Sequence, residues 1–171
     1  EPKSAITCNN LGNFLRNNRN KYDEAIDYYK KALEYGPNIF AIHNNLGVTY
    51  QYLGKFAEAT DCFRKALEIN PSFAVAHRQI AMNIKYKKND NHLKEMENVL
   101  SNQNISNGEK IHLSFGLGKA YEDIKDYKKA FKNYKTGNDF KRKSYKYSIE
   151  NEKKNFEEIK NAFNKSSLER L

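Results

Sequence analysis

Residues 8–15 read CNNLGNFL, residues 43–50 read HNNLGVTY and residues 114–121 read SFGLGKAY. Each is followed by a second segment: YDEAIDYYKKAL from Tyr22, FAEATDCFRKAL from Phe56 and YKKAFKNYKTG from Tyr127. Tyr22 to Phe56, Ala25 to Ala59, Ala32 to Ala66 and Pro37 to Pro71 are all 34 residues apart. Gly12 to Gly47 is 35, which puts one extra residue in RNNRNK. Gly47 to Gly118 is 71, two periods and three residues more, so a degenerate unit lies between them. Its halves are AVAHRQIAMNIKY and HLKEMENVL. A fixed period of this size marks a stacked repeat, whose product is a surface.

The residue types explain the period. Two helices can cross closely only where side chains are small. Gly12, Gly47, Ala81 and Gly118 leave room on the first helix of each unit, and Ala25, Ala59 and Ala130 on the second. Leu11, Leu46, Ile80 and Leu117 lock one side of the crossing, and Tyr29, Phe63 and Tyr134 the other. Ala25, Tyr29, Ala32 and Leu33 recur at helical spacing. Pro37 and Pro71 stop the second helix, because proline lacks the amide hydrogen and clashes with the preceding turn. The expected helices cover 4–17, 22–35, 39–53, 56–69, 73–87, 90–101, 109–124 and 127–143. Residues 101–108, SNQNISNG, form the loop that holds the three extra residues. A last helix over 149–164 carries the stripe Ile149, Phe156, Ile159 and Phe163, the pattern of an amphipathic cap on the end of the stack. No strand is predicted.

This pattern resembles the tetratricopeptide repeat (TPR), from residue 5 to about 140. The resemblance implies an all-α solenoid of stacked antiparallel helix pairs with a C-terminal capping helix, forming a single domain over 1–171. The units are about 5–38, 39–72, 73–108 and 109–143. In the family, the first helices line a concave face that takes peptides or proteins. The positions around each Leu-Gly pair are then Asn9, Asn10 and Asn13 in unit one. In unit two they are Asn44, Asn45, Val48 and Tyr52, and in unit three Arg78, Gln79, Met82 and Tyr86. Asn10, Asn45 and Gln79 are equivalent and form an expected ladder of amides. An amide offers a donor and an acceptor together, so it can hold a peptide main chain. Mutual bonding of these amides is the structural alternative. Some TPR domains clamp a C-terminal carboxylate. Asn13 and Asn45 match that pattern, but the basic positions hold Asn9, Val75 and Gln79, and Arg78 offers one cation only. Chaperone-tail binding is therefore not expected.

A second resemblance covers Phe115 to Phe163. Leu117-Gly118-Lys119-Ala120, Asp126-Tyr127, Ala130-Phe131, Tyr134, Gly137-Asn138 and Lys141-Arg142 are similar to the junction in bacterial TPR-sulfotransferases. That likeness implies a substrate-presenting array next to a C-terminal sulfotransferase domain in a longer parent. The Ser-Gly-Thr phosphosulfate loop of such a domain does not occur in this sequence.

Composition bounds the rest. The chain has 171 residues and a net charge of +9, from 30 Lys and Arg against 21 Asp and Glu. Charges of both signs mix along each helix, the pattern of a solvated face, so nucleic acid is not an expected partner. The sharpest basic feature is FKRKSYKY (140–147), where Lys141, Arg142, Lys143 and Lys146 alternate with Tyr145 and Tyr147. It could touch nucleic acid, a phosphorylated ligand or an acidic neighbour, and a solvated helix end favoured by the helix dipole is the plainer reading. No apolar run spans a bilayer. The opening EPKSAITCNN has no signal-like stretch and no initiator Met, so it is expected to begin inside a longer protein or behind a removed tag. Cys8 and Cys62 fall among apolar residues of different units and read as reduced, half-buried packing residues of a cytoplasmic protein, with a single disulfide the weaker alternative. Cys8, His43 and His77 share one slot in consecutive units, but a helix-packing distance between units separates them too far for one metal ion. GLGK at 116–119 falls mid-helix without a strand before it and is no phosphate loop. No catalytic group, cofactor or metal is expected.

Overall fold

The structure is a computed structural model and describes residues 4–144 and 149–162, without the side chains of Arg19, Asn151 and Ala162. Its helices are α1 (Ala5–Arg19), α2 (Tyr22–Tyr35), α3 (Phe40–Tyr52), α4 (Phe56–Ile69), α5 (Ala74–Asn83), α6 (Asn91–Ser101), α7 (Asn107–Asp123), α8 (Tyr127–Ser144) and α9 (Ile149–Ala162). No strand occurs among the described residues. The helices pair as α1 with α2, α3 with α4 and α7 with α8, and each pair leans on the next through α2–α3, α4–α5 and α6–α7. This is an all-α solenoid of helix pairs.

Local chemistry sets the ends. Ser4 caps α1, its hydroxyl accepting from the Thr7 amide at 3.2 Å. The extra residue of unit one lengthens α1 to Arg19, and Asn20 closes it in the left-handed region at φ 52°. The matching turn in unit two is Gly54, φ 71°, where a residue without Cβ carries no strain. At the start of α7, the Ser106 hydroxyl accepts from the Glu109 amide while the Glu109 carboxylate accepts from the Ser106 amide. This reciprocal cap starts α7 at Asn107, two residues earlier than the sequence predicts.

Each crossing is built on its glycine. A Cβ on Gly12 would sit 2.7 Å from Tyr29 Cε1, on Gly47 2.6 Å from Phe63 Cε1, and on Gly118 2.6 Å from Tyr134 Cδ1. Tyr29 and Phe63 are fully buried by that approach. Burying a ring of this kind contributes about 2–3 kcal/mol. Core residues of one unit meet those of the next: Cys62 of α4 joins the cluster around Tyr29 and Ile42. Cys8 and Cys62, expected to be half-buried, are both buried, and neither forms a disulfide.

Unit three departs from the plan. Its first helix, expected over 73–87, stops at Asn83, and residues 84–90 leave helical geometry. Two side chains of α7 receive the broken end. Lys119 Nζ donates to the Ile84 carbonyl at 2.9 Å, and the Tyr86 amide donates to Asp123 Oδ2 at 3.0 Å. Lys119 and Asp123 also pair with each other. As a result α5 packs broadly against α7 and only lightly against its own partner α6. At Gly116 of α7 the tight neighbour is α6: a Cβ there would lie 3.0 Å from Met96 Sδ, against ordinary contacts of 3.5 Å to Ala81 Cβ and Arg78 Cα of α5.

Helix α9 follows as the expected terminal helix. Its stripe, expected to cover the end of the stack, is open instead. Ile149, Phe156 and Ile159 are 62%, 67% and 58% exposed, and α9 makes no extended contact with the other helices. Phe163 lies outside the described residues.

Candidate peptide-binding face

The first helices α1, α3 and α5 carry the candidate residues. Asn10 is exposed on α1, Tyr52 is 64% exposed at the end of α3, and Met82 is 56% exposed on α5. Asn9, Asn13, Asn44, Asn45, Val48, Arg78 and Gln79 are half-buried. Tyr86 is the exception: it is 3% exposed and belongs to the core around Leu93 and Met96. The break in α5 turns it inward, so it does not reach the face. Its hydroxyl lies 2.5 Å from His92 Nδ1.

The amides are bonded, in a pattern different from the expected ladder. Asn45 Nδ2 donates to Asn9 Oδ1 at 2.9 Å, so the step between units one and two runs through Asn9 rather than Asn10. Arg16 adds a bond to the Asn45 carbonyl at 3.3 Å. Asn13 accepts from the Tyr29 hydroxyl at 2.8 Å and is tied to the core. The next step, between α3 and α5, is made by residues that sequence reasoning missed. Gln51 Nε2 donates to Asn83 Oδ1 at 2.7 Å, and Asn83 Nδ2 donates onward to Thr60 Oγ1 at 3.3 Å. These residues sit off the Leu-Gly register, Gln51 and Asn83 in the last turns of α3 and α5. Asn44 Oδ1 is buried without a hydrogen-bond partner.

Other side chains are already engaged. The Arg78 guanidinium lies 5.3 Å from the Phe115 ring centroid, a cation–π contact between α5 and α7. Tyr52 stacks on Tyr22 with centroids 5.4 Å apart. Lys141, Arg142 and Lys143 are exposed in the last turn of α8, where cations favour the helix dipole. Lys143 also reaches over Phe140, 5.9 Å from its centroid. Lys146 lies outside the described residues.

The shared slot of Cys8, His43 and His77 has a structural role. His43 Nε2 donates to the Pro37 carbonyl at 2.9 Å, and His77 Nε2 to the Pro71 carbonyl at 2.8 Å. Each histidine holds the proline turn that opens its unit. Cys8 fills the slot in unit one as a fully buried packing residue. Unit three adds a second ring: His92 Nε2 is 2.9 Å from His77 Nδ1. Burial, and then the His77 ring beside it, lowers His92 to about 4.

The fold and face define a class, the helix-pair solenoid that presents one helix of each pair. Within it, the chain carries tetratricopeptide repeats: residues 40–73 match the family model described as tetratricopeptide repeat, and residues 16–54 match one described as TPR repeat. Among solved structures, the fold is similar to that of MamA. That match has 20% identity and a TM-score of 0.63, covering 84% of this chain and 81% of that one. It is also similar to MamA 41-end from Desulfovibrio magneticus RS-1, with 22% identity and a TM-score of 0.61, covering 80% and 75%. A looser likeness is to the first TPR of Spaghetti (RPAP3) bound to the HSP90 peptide SRMEEVD. It has 22% identity over 75% of this chain and 93% of that one, with a TM-score of 0.47. No curated protein matches the sequence significantly. Nothing in these matches supports the resemblance of residues 115–163 to TPR-sulfotransferases. No helix among the described residues is long and apolar enough to cross a membrane.

Proposed function

We propose that the chain is a binding scaffold that holds an extended peptide, or an extended segment of a protein, along the face formed by α1, α3 and α5. One observation carries this reading. Three successive first helices each carry an exposed side chain, Asn10, Met82 and Tyr52, at repeat positions that differ by three and by seven and so share one side of a helix, and amide bridges hold those helices to one another. Exposed Met and Tyr beside amides suit a peptide, since the apolar groups supply contact area and the amides answer its main chain. The chemistry of this face is recognition. The peptide reading rests on Asn10, Gln79, Met82 and the rim of Tyr52. Asn9, Asn13 and Asn45 hold the frame behind them.

The test is a displayed random-peptide library selected on the whole chain. Selected peptides should bind the double variant Asn10→Ala, Met82→Ser roughly tenfold more weakly, because both residues are exposed and serve no packing. The triple variant Lys141→Gln, Arg142→Gln, Lys143→Gln should bind them unchanged. Equal binding by the wild type and the first variant would exclude this face, and loss in the second alone would move the site to the basic end of α8.

A further inference from the structure

We infer that His77, His92 and Glu95 form a binding site for a divalent transition-metal ion, with Zn²⁺ the ion its donors suit best. The two rings come from different helices, α5 and α6, and present His77 Nδ1 and His92 Nε2 to each other at 2.9 Å. Glu95 stands one turn beyond His92 on α6, and one ligand atom from each of His77, His92 and Glu95 lies within 4.8 Å of the other two. Two imidazoles and a carboxylate are a zinc donor set, and a fourth position remains for water. Zn–N bonds of tetrahedral geometry need the two nitrogens roughly 3.3 Å apart, so His92 would swing out by roughly 0.4 Å.

The surroundings already orient these ligands. The Pro71 carbonyl accepts from His77 Nε2–H at 2.8 Å, which leaves the Nδ1 lone pair facing the cluster. His43 makes the same bond to Pro37 in unit two, so this tautomer is set by the repeat itself. On the other ring, His92 Nδ1 meets the Tyr86 hydroxyl. A carbonyl or hydroxyl behind each ligating histidine is what fixes such rings for a metal. A pocket of about 690 Å³ opens from the cluster to solvent and gives the ion an entry path. Its wall holds Glu68, Asp90 and Glu95 against the single cation Arg64, a balance that favours a cation.

Without metal, the same groups close a proton chain. The Tyr86 hydroxyl donates to His92 Nδ1, His92 Nε2–H to His77 Nδ1, and His77 Nε2–H to the Pro71 carbonyl. An incoming ion takes the place of the proton between the rings. His92 then carries that proton on Nδ1 and donates it to the Tyr86 oxygen, so no proton is lost from the pair. The ion would tie α6 to α5, the weakest of the pairings within a unit.

The experiment is calorimetric titration of the chelator-treated whole chain with ZnCl₂ at pH 7.5, with Co²⁺ as a spectroscopic substitute. One equivalent should bind, the Co²⁺ form should show the visible bands of a four-coordinate site, and the melting temperature should rise with zinc. His92→Gln and Glu95→Gln should each weaken binding by roughly tenfold or more. Glu95 is exposed, so its variant keeps the fold even if the His92 variant does not. Absence of one-to-one binding by the wild type would overturn the inference. So would undiminished binding by Glu95→Gln together with undiminished binding by a folded His92→Gln.

Discussion

At the scale of single residues, the fold depends on three glycines that let an aromatic ring lie on a helix backbone. Gly47 shows the balance most clearly. Alanine there gains about 1 kcal/mol of helix propensity. It also drives a methyl to 2.6 Å from the Phe63 ring, which has no free side to move into. Overpacking of this kind costs about 1–3 kcal/mol. Gly47→Ala should therefore lower stability by about 1 kcal/mol, measured by urea unfolding. Adding Phe63→Leu should recover part of the alanine penalty in a double-mutant cycle. Cys62 makes a second prediction. Burial is the main cause that pushes its thiol up to about 11, partly opposed by Lys65. Iodoacetamide at pH 8 should leave Cys62 unmodified in the folded chain and label it once urea is added. The same shift makes the protonated thiol a stabilising feature below its ordinary value of 9.0, lost as pH rises from there through about 11.

At the scale of elements, α1 to α4 could be read from the sequence because their determinants are local. Glycine, alanine, aromatic and proline recur at fixed positions, and a close crossing demands those types there. The end of α5 could not be read this way. Residues 84–87 continue a helical-looking pattern, and what stops them are Lys119 and Asp123, more than 30 residues away. The inward turn of Tyr86 and the meeting of His77 with His92 follow from that stop, so neither has a signature in the spacing. Asp123 is half-buried, accepts from the Tyr86 amide and pairs with Lys119. Asp123→Ala removes a charged acceptor and leaves the Tyr86 amide without its partner, a change worth about 2 kcal/mol. Hydrogen exchange should show faster opening across residues 84–90 in that variant, with α1 to α3 unchanged.

At the scale of the whole molecule, stability is a sum over stacked neighbours. The terminal helix α9 stands outside that sum, with its apolar stripe exposed. Phe156→Ser with Ile159→Ser should therefore shift the unfolding free energy by no more than about 0.5 kcal/mol, in a urea titration followed by circular dichroism. The amphipathic pattern of 149–162 was legible as a helix, but a stripe alone does not say what it lies on. The burial of Tyr86 carries a last consequence, for ligand length. The row of outward side chains runs from α1 through α3 to α5 and is interrupted there. Three neighbouring helices packed about 10 Å apart span roughly 20 Å. A strand that rises about 3.3 Å per residue crosses that distance in roughly six residues. On the peptide-binding reading proposed above, the scaffold would be a short ruler, reading a hexapeptide-sized stretch and leaving the rest of its ligand in solvent.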